Sequence, residues 1–225
     1  MIVLFDLDDT LLDHSGADGD AALALRAAFA PARAPEEFLI DWRRASQRHY
    51  ARYLRGEISF AEQRRARVRD AIGGLPRDAE ADMAFNFYSA AYRNAWRLFD
   101  DAFPCLSALE ARGGLKLGLV TNGDGAVQRR KIEVMGLGAL FQAIVISGEA
   151  GLAKPDSRIF ALACRRLGAT PAHAFFIGDD RTNDADAARA AGLRGFWLDR
   201  SGGDAADPAR LTTLADFPAL LAAAS

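Results

Sequence analysis

Cysteine and histidine are scarce in this chain of 225 residues, which contains two cysteines and three histidines. Cys105 and Cys164 lie far apart, and no CxxC or other metal-ligand spacing surrounds either of them. We therefore expect two buried free thiols and no disulfide. A chain of this length can bury well over half of its unfolded surface, so its fold should need no disulfide or metal staple.

An excess of charge of one sign and long apolar runs are also lacking. The 28 Lys and Arg residues nearly balance the 30 Asp and Glu residues, which argues against broad coating of nucleic acid. No apolar run reaches the roughly 18 residues that a membrane span requires. Asp6, Asp8 and Asp9 follow the first five residues, so we expect no signal peptide. These features favour a cytoplasmic protein with neither a nucleic-acid nor a membrane partner.

Five short runs are continuously apolar and rich in β-branched or aromatic residues. They are residues 2–5, 115–120, 143–146, 174–177 and 194–198. Continuous apolar character is typical of parallel strands that are buried on both faces. Helical patterns of crossover length separate the last four runs, at residues 125–135, 157–167 and 184–191. The alternation predicts a doubly wound α/β fold with a parallel sheet.

A long stretch between the first two strands shows helical periodicity and no convincing strand. Pro35 is placed to open a helix, and Ser59 with Glu62 fits a capping box that opens the next. A third helix is predicted over residues 78–96, with one stripe formed by Met83, Phe87, Ala90, Ala91 and Asn94. The stretch is too long for a crossover connection, so we expect a helical cap domain at residues 14–100. Residues 1–13 and 101–225 then form the α/β core.

Polar residues follow the strand ends, where ligands gather in doubly wound sheets. These residues are Asp6 and Asp8 after the first strand, Thr121 and Asn122 after the second, Lys154 after the third, and Asp179, Asp180 and Asp184 after the fourth. Alternation along an extended segment sends Asp6 and Asp8 to the same side, where their charges repel. A hard divalent cation relieves that repulsion, and a helix start next to Thr121 suits an anion. The pattern indicates a site for Mg²⁺ and a phosphoryl group.

Four motifs, in order and spacing, resemble those of the haloacid dehalogenase-like (HAD) hydrolases. They are Asp6-Leu-Asp-Asp-Thr-Leu11, Thr121-Asn122, Lys154-Pro155 and Gly178-Asp-Asp-(x3)-Asp184. The resemblance spans essentially the whole chain and implies a Rossmann-like core with a small helical cap of the C1 type. The pattern Trp42…Arg55-Gly-Glu-Ile-Ser59 is also similar to the branch of pyrimidine 5′-nucleotidases and N-acylneuraminate 9-phosphatases.

The resemblance implies a role for each motif residue. Asp6 is then the nucleophile that forms an aspartyl-phosphate. Asp8 is the general acid that protonates the leaving oxygen and the general base that activates water. Thr121, with Asn122 and the following backbone amides, binds the phosphoryl oxygens, while Lys154 neutralises charge between nucleophile and phosphate. The Mg²⁺ ligands become Asp6, Asp179 and the backbone carbonyl of Asp8. Asp184 supports Lys154 or a metal-bound water, and Asp180 contacts the metal directly or through another group.

The leading hypothesis is a Mg²⁺-dependent phosphomonoester hydrolase for a small phosphorylated metabolite, as a monomer or homodimer. A 2-haloacid dehalogenase needs neither Asp8 nor a metal, so Asp8 and Asp179 argue for phosphate. A phosphomutase shares the same core and stays open.

A phospho-acceptor signalling module also combines acidic residues, Thr and Lys, but it is about half this length and lacks the insert. An inactive binding protein is expected to have lost a motif residue, and none is missing.

Overall fold

Six parallel strands form one sheet in this structure, a computed structural model that describes residues 1–202 and 207–223. The strands are β1 (Ile2–Phe5), β2 (Lys116–Thr121), β3 (Ala143–Ile146), β4 (Ala174–Gly178), β5 (Arg194–Leu198) and β6 (Arg210–Leu211). Their order across the sheet is β3-β2-β1-β4-β5-β6, and every pairing is parallel. The predicted doubly wound α/β fold is therefore confirmed. The β6 strand was not predicted, because two residues are too few to produce a recognisable pattern.

Two compact units divide the chain. One contains Met1–Asp13 and Arg97–Ser225, and the other is His14–Trp96. Residues 97–100, which the sequence analysis placed in the helical domain, group with the α/β unit. The reason is local pairing, since Leu98 bridges to Leu12 and the Phe99 N–H donates to the Leu11 carbonyl oxygen at 3.0 Å.

The helical unit contains α1 (His14–Phe29), α2 (Pro35–Leu54), α3 (Phe60–Ile72) and α4 (Asp78–Asn94). Pro35 lies in the first turn of α2, where its missing N–H costs nothing. The predicted capping box of α3 is present: the Glu62 N–H donates to Ser59 Oγ at 3.2 Å, and the Ser59 N–H to Glu62 Oε2 at 2.7 Å. Both helix starts follow from local sequence alone.

The stripe predicted for α4, which contains Met83 and Phe87, is not the buried face of this helix. Met83 and Phe87 are 58% and 42% exposed, whereas Phe85 and Tyr88 are buried. Tyr88 lies against Trp42 of α2, with 4.4 Å between ring centroids, and its hydroxyl donates to Asp18 Oδ1 at 2.5 Å. Two apolar stripes share this helix, and packing on Trp42 selects the one that carries the larger aromatic surface.

The α/β unit adds six helices among the residues that the structure describes. They are α5 (Ala102–Ala111), α6 (Gly125–Val134), α7 (Ser147–Ala150), α8 (Ser157–Leu167), α9 (Ala187–Ala190) and α10 (Phe217–Ala223). The segment predicted as one helix at 184–191 instead begins with a π-helical stretch, Arg181–Asp186, before α9. Widened turns of this kind are frequent at functional sites.

Both faces of the sheet are covered by apolar side chains, which explains the continuous apolar runs. On one face Phe160 of α8 meets Phe176 edge to face, with ring centroids 5.0 Å apart. On the other, Phe5 and Phe175 each contact Phe217 of α10. Both cysteines are buried and free, as expected. Within the described residues, no helix combines the length and apolar character needed to cross a membrane.

Asp101, at the start of α5, joins distant parts of the α/β unit. Its carboxylate accepts two hydrogen bonds from the Arg200 guanidinium, at 2.9 and 2.8 Å. It also accepts from Thr213 Oγ1 at 2.6 Å and from the Leu214 N–H at 2.9 Å. Burial alone would raise the pKa of Asp101, but the hydrogen bonds from Arg200, Thr213 and Leu214 outweigh it and lower that pKa. The folded state therefore favours the ionised carboxylate.

We predict that Asp101→Asn lowers the free energy of unfolding by about 2 kcal/mol at pH 7, because the Arg200 charge loses its partner. Asp100→Asn, at the exposed neighbouring position, is the matched control and should change little. Folding lowers the pKa of Asp101. Its contribution to the free energy of unfolding is therefore complete above the pKa of the unfolded chain, about 3.9, and is lost as the pH falls through the pKa of the folded protein. Urea unfolding at pH 7 and near pH 3 measures both effects; an equal loss at both pH values would contradict the charge argument.

Candidate active site

The polar residues predicted from sequence lie where the strands of the α/β unit end. Asp6 directly follows β1, and its N–H donates to the Ile177 carbonyl oxygen at 2.9 Å, which extends the β1–β4 pairing by one residue. The chain then turns sharply, with Asp9 in the left-handed region (φ 57°) and the Leu11 N–H bonded to the Leu7 carbonyl oxygen. Aspartate tolerates that conformation better than most residues. The turn fixes Asp6 and Asp8 at the edge of the sheet.

Lys154 lies between two carboxylates in the buried part of this site. Its ammonium nitrogen is 2.6 Å from Asp6 Oδ1 and 2.5 Å from Asp184 Oδ1. All three side chains are almost fully buried. Burial of a charge is tolerated only where a partner of opposite charge compensates, and here one ammonium compensates two carboxylates.

The electrostatic consequence is a set of strongly shifted pKa values. Burial raises the pKa of Asp6 to about 7, against the lowering effect of Lys154 and with a further increase from Asp184 and Asp8. Burial also raises the pKa of Asp179 to about 8, and the charges of Asp6 and Asp184 add to it. For Lys154, burial lowers the pKa, but the charges of Asp6 and Asp184 outweigh it and raise that pKa above its ordinary value. Burial and the neighbouring carboxylates thus oppose ionisation of Asp6 and Asp179.

Asp184 reaches Lys154 because β4 ends in a glycine. A Cβ atom at Gly178 would lie 2.2 Å from Asp184 Oδ2, so a larger residue would displace the carboxylate. The second carboxylate oxygen of Asp184, Oδ2, accepts a hydrogen bond from the Asp180 N–H at 3.1 Å. The Asp180 carboxylate itself caps the π-helical stretch, accepting from the N–H groups of Thr182 and Asn183 at 2.9 Å each. The sequence pattern leaves the role of Asp180 open, and these contacts hold its side chain at the helix start.

Thr10 connects the first and last predicted acidic motifs, although the sequence analysis gave it no role. Its hydroxyl oxygen lies 3.3 Å from Asp6 Oδ2 and 3.4 Å from Asp179 Oδ1, and it accepts from the Asp179 N–H at 3.1 Å. The Trp197 indole N–H donates to the Asp179 carbonyl oxygen at 2.8 Å. Thr10 belongs to the first motif, which was the available signal that it lies in the site.

The donor set fits a hard divalent cation. Asp6, Asp179 and Asp184 each offer a carboxylate oxygen, and these oxygens lie within 4.8 Å of one another. Both oxygens of Asp184 already contact donors, namely Lys154 and the Asp180 N–H, which leaves Asp6 and Asp179 as the better-placed pair. Oxygen ligands and uncompensated negative charge are what Mg²⁺ prefers. The Asp8 side chain is outside this cluster, and the family resemblance implies only its backbone carbonyl as a metal ligand.

Asn122 and Lys154 are joined by two hydrogen bonds. Asn122 Nδ2 donates to the Lys154 carbonyl oxygen, and the Lys154 N–H donates to Asn122 Oδ1, both at 2.9 Å. The Asn122 side chain therefore holds the backbone at Lys154, which leaves the backbone of Asn122 for the predicted phosphoryl contact. Thr121 is buried, and its hydroxyl oxygen accepts from Gln128 Nε2 at 2.8 Å.

Asp8 has charged and polar neighbours that the sequence analysis missed. The Lys131 ammonium lies 2.7 Å from Asp8 Oδ1 and 2.8 Å from Oδ2, and Gln128 Nε2 donates to Oδ2 at 3.0 Å. Both side chains come from α6, one turn apart, and both are buried. Their spacing in the helix that follows Thr121 was the only signal, and it equally fits a solvated helix face.

Comparison with known proteins agrees with this geometry. A family model described as haloacid dehalogenase-like hydrolase matches residues 1–192. A phosphoserine phosphatase from Thermus thermophilus is 34% identical over 88% of each chain, and an N-acylneuraminate-9-phosphatase from Rattus norvegicus is 29% identical over 89% of this chain and 83% of its own. The solved structure of the HAD-hydrolase YfnB from Bacillus subtilis bound to magnesium superposes with a TM-score of 0.77 at 22% identity, covering 98% of this chain and 97% of its own. The chain is therefore a hydrolase that belongs to the haloacid dehalogenase-like family.

Proposed function

We propose that this protein hydrolyses the phosphate monoester of a small metabolite through an aspartyl-phosphate on Asp6. The observation that carries the proposal is the cluster of Asp6 and Lys154 with Asp8 two residues further on and Asp179 beside it. The phosphatase names of the similar proteins from Thermus thermophilus and Rattus norvegicus support it. Every phosphate monoester presents the same phosphoryl group to these residues, whatever metabolite carries it.

The first step transfers the phosphoryl group to the protein. An oxygen of the Asp6 carboxylate attacks phosphorus, the bond to the leaving oxygen breaks, and Asp8 gives that oxygen a proton. In the second step Asp8 takes a proton from water, the water oxygen attacks phosphorus, and the Asp6 carboxylate is released. A covalent intermediate divides one difficult displacement into two easier ones.

The other residues stabilise charge. Lys154 stays protonated beside Asp6, because its pKa is raised, and so offsets the negative charge of nucleophile and phosphoryl group. Thr121 and the backbone amides that follow it are assigned to the phosphoryl oxygens. Asp6, Asp179 and the Asp8 carbonyl would hold Mg²⁺, which when bound offsets the excess negative charge of the site.

A 2-haloacid dehalogenase of the same family is the second candidate. Its reaction also needs a carboxylate nucleophile but requires neither a proton donor at Asp8 nor a metal. Burial and the neighbouring carboxylates oppose ionisation of Asp179, as its raised pKa indicates, and a bound cation of the kind the phosphatase would use relieves this opposition. The geometry favours the phosphatase for this reason.

Asp6→Asn is expected to lower kcat/KM on a phosphate monoester by about three orders of magnitude or more, because the amide cannot attack phosphorus. The variant should fold, since Lys154 keeps Asp184 as its partner. Steady-state kinetics and circular dichroism measure the two properties. Retention of a tenth of the activity in a folded variant would remove Asp6 as the nucleophile.

Exhaustive treatment with EDTA should abolish phosphatase activity, and added Mg²⁺ should restore it. Independently of activity, Mg²⁺ should raise the thermal midpoint of the wild type by preferential binding to the folded state. Asp179→Asn should lose this shift, whereas Asp216→Asn, at an exposed carboxylate, should keep it. Full phosphatase activity after EDTA treatment would remove the metal from the proposed reaction, whereas EDTA-resistant release of halide from a 2-haloacid, without phosphatase activity, would favour the dehalogenase.

We further propose that the helical unit, His14–Trp96, selects the substrate. Arg44→Ala, Arg48→Ala and Tyr53→Ala should then change the preference among phosphorylated metabolites while preserving hydrolysis of p-nitrophenyl phosphate to within about threefold. Lys154→Ala should instead lower kcat/KM to a similar extent on every substrate. The measurement is kcat/KM over a panel of phosphate esters; uniform losses in the folded variants of the helical unit would contradict the assignment.

A further inference from the structure

Lys131 is a buried lysine for which the proposed reaction has no role. It lies on α6 and is only 3% exposed. Its ammonium nitrogen contacts both oxygens of the Asp8 carboxylate, at 2.7 and 2.8 Å. Two contacts from one charged group fix the rotation of the carboxylate as well as its position.

Gln128 completes the arrangement one helical turn before Lys131. Its amide nitrogen donates to Asp8 Oδ2 at 3.0 Å and to Thr121 Oγ1 at 2.8 Å. The side chain lies against the loop at Gly123, where a Cβ atom would come within 3.0 Å of Gln128 Cγ and Cδ. The glycine therefore gives Gln128 the room to join the Asp8 carboxylate to the Thr121 hydroxyl.

The two contacts differ in what they can do for the reaction. Gln128 donates to the Thr121 oxygen, and the Thr121 hydroxyl itself donates to the Asn122 carbonyl oxygen at 3.4 Å. A turn of that hydroxyl hydrogen would let Thr121 donate to a phosphoryl oxygen while it still accepts from Gln128. The Lys131 ammonium contacts both oxygens of the ionised Asp8. When Asp8 carries the proton that it gives to the leaving group, its other oxygen can still accept from Lys131, so the carboxyl group stays in place. A group that transfers a proton must be held close to its productive position, and errors of about 1 Å cost large factors in rate.

We propose that Lys131 is a positioning residue for the acid and base Asp8, acting through that carboxylate, while Gln128 links the same carboxylate to Thr121. The inference rests on the proposed phosphatase function. It adds a residue outside the four sequence motifs to the machinery of that reaction.

The role predicts a dependence on the leaving group. In the first step the electron pair of the breaking phosphorus–oxygen bond goes to the leaving oxygen, and the proton from Asp8 neutralises it. An alkyl leaving group needs that proton, whereas p-nitrophenolate is stable as an anion. Loss of Lys131 should therefore harm the alkyl ester more than the aryl ester, because kcat/KM covers steps up to departure of the leaving group.

The test compares Lys131→Met and the milder Lys131→Gln with wild type in the presence of Mg²⁺. Glycerol phosphate and p-nitrophenyl phosphate are the two substrates, and Arg130→Met is the matched control at an exposed position on the same helix. Both Lys131 variants should lose about 10- to 100-fold in kcat/KM on glycerol phosphate and at most a few-fold on p-nitrophenyl phosphate. Lys131→Arg should recover most of the loss, and Arg130→Met should match wild type.

A double-mutant cycle separates positioning from a general structural role. In an Asp8→Asn background, Lys131→Met should cost nothing further on glycerol phosphate, because the residue through which it acts is already disabled. Equal losses on both esters, or losses that add to those of Asp8→Asn, would overturn the inference while leaving the phosphatase function intact. A wild-type protein inactive on every phosphate ester would overturn the proposed function itself, and this inference with it.

Discussion

The burial of Lys154 between Asp6 and Asp184 is the interaction on which the site depends. One ammonium faces two carboxylates at 2.6 and 2.5 Å, and Asp179 adds a third carboxyl group nearby. Such a cluster tends to destabilise a fold, because several charges leave water without full compensation. The raised pKa values of Asp6 and Asp179 express that cost. Its persistence is understandable where a cation and a phosphoryl group meet the cluster during function.

Neighbouring features of the α/β unit follow from this cluster. Gly178 is required because a side chain there would occupy the space of the Asp184 carboxylate. Asn122 holds the Lys154 backbone through both of its amide atoms, so the lysine enters the site from a fixed position. The apolar cores on both faces of the sheet supply the rigidity that keeps the strand ends in register. The stability of the sheet thus offsets the strain of the charges at its edge.

The sequence predicted the sheet well, because strands buried on both faces must be continuously apolar. It did not predict which face of α4 is buried, because this helix carries two apolar stripes. Met83 and Phe87 lie on one stripe, and Phe85 and Tyr88 lie on the other. Packing on Trp42 decides between them. The predicted motif residues of the site were recognisable from type and spacing. Gln128 and Lys131 were not, because polar residues on a helix are normally solvated, and only the tertiary fold brings them to Asp8.

Asp6 and Asp8 are chemically identical and two residues apart, yet the fold gives them different surroundings. Asp6 is buried and shares Lys154 with Asp184, while its other oxygen is near Thr10. Asp8 is held by Lys131 and by a neutral amide, and a quarter of its side chain is exposed. A nucleophile benefits from fixed burial next to a cation, whereas a group that exchanges protons with a leaving group and with water needs access to both. Separate lysines, one from the loop after α7 and one from α6, therefore allow two equal carboxylates to take two distinct roles.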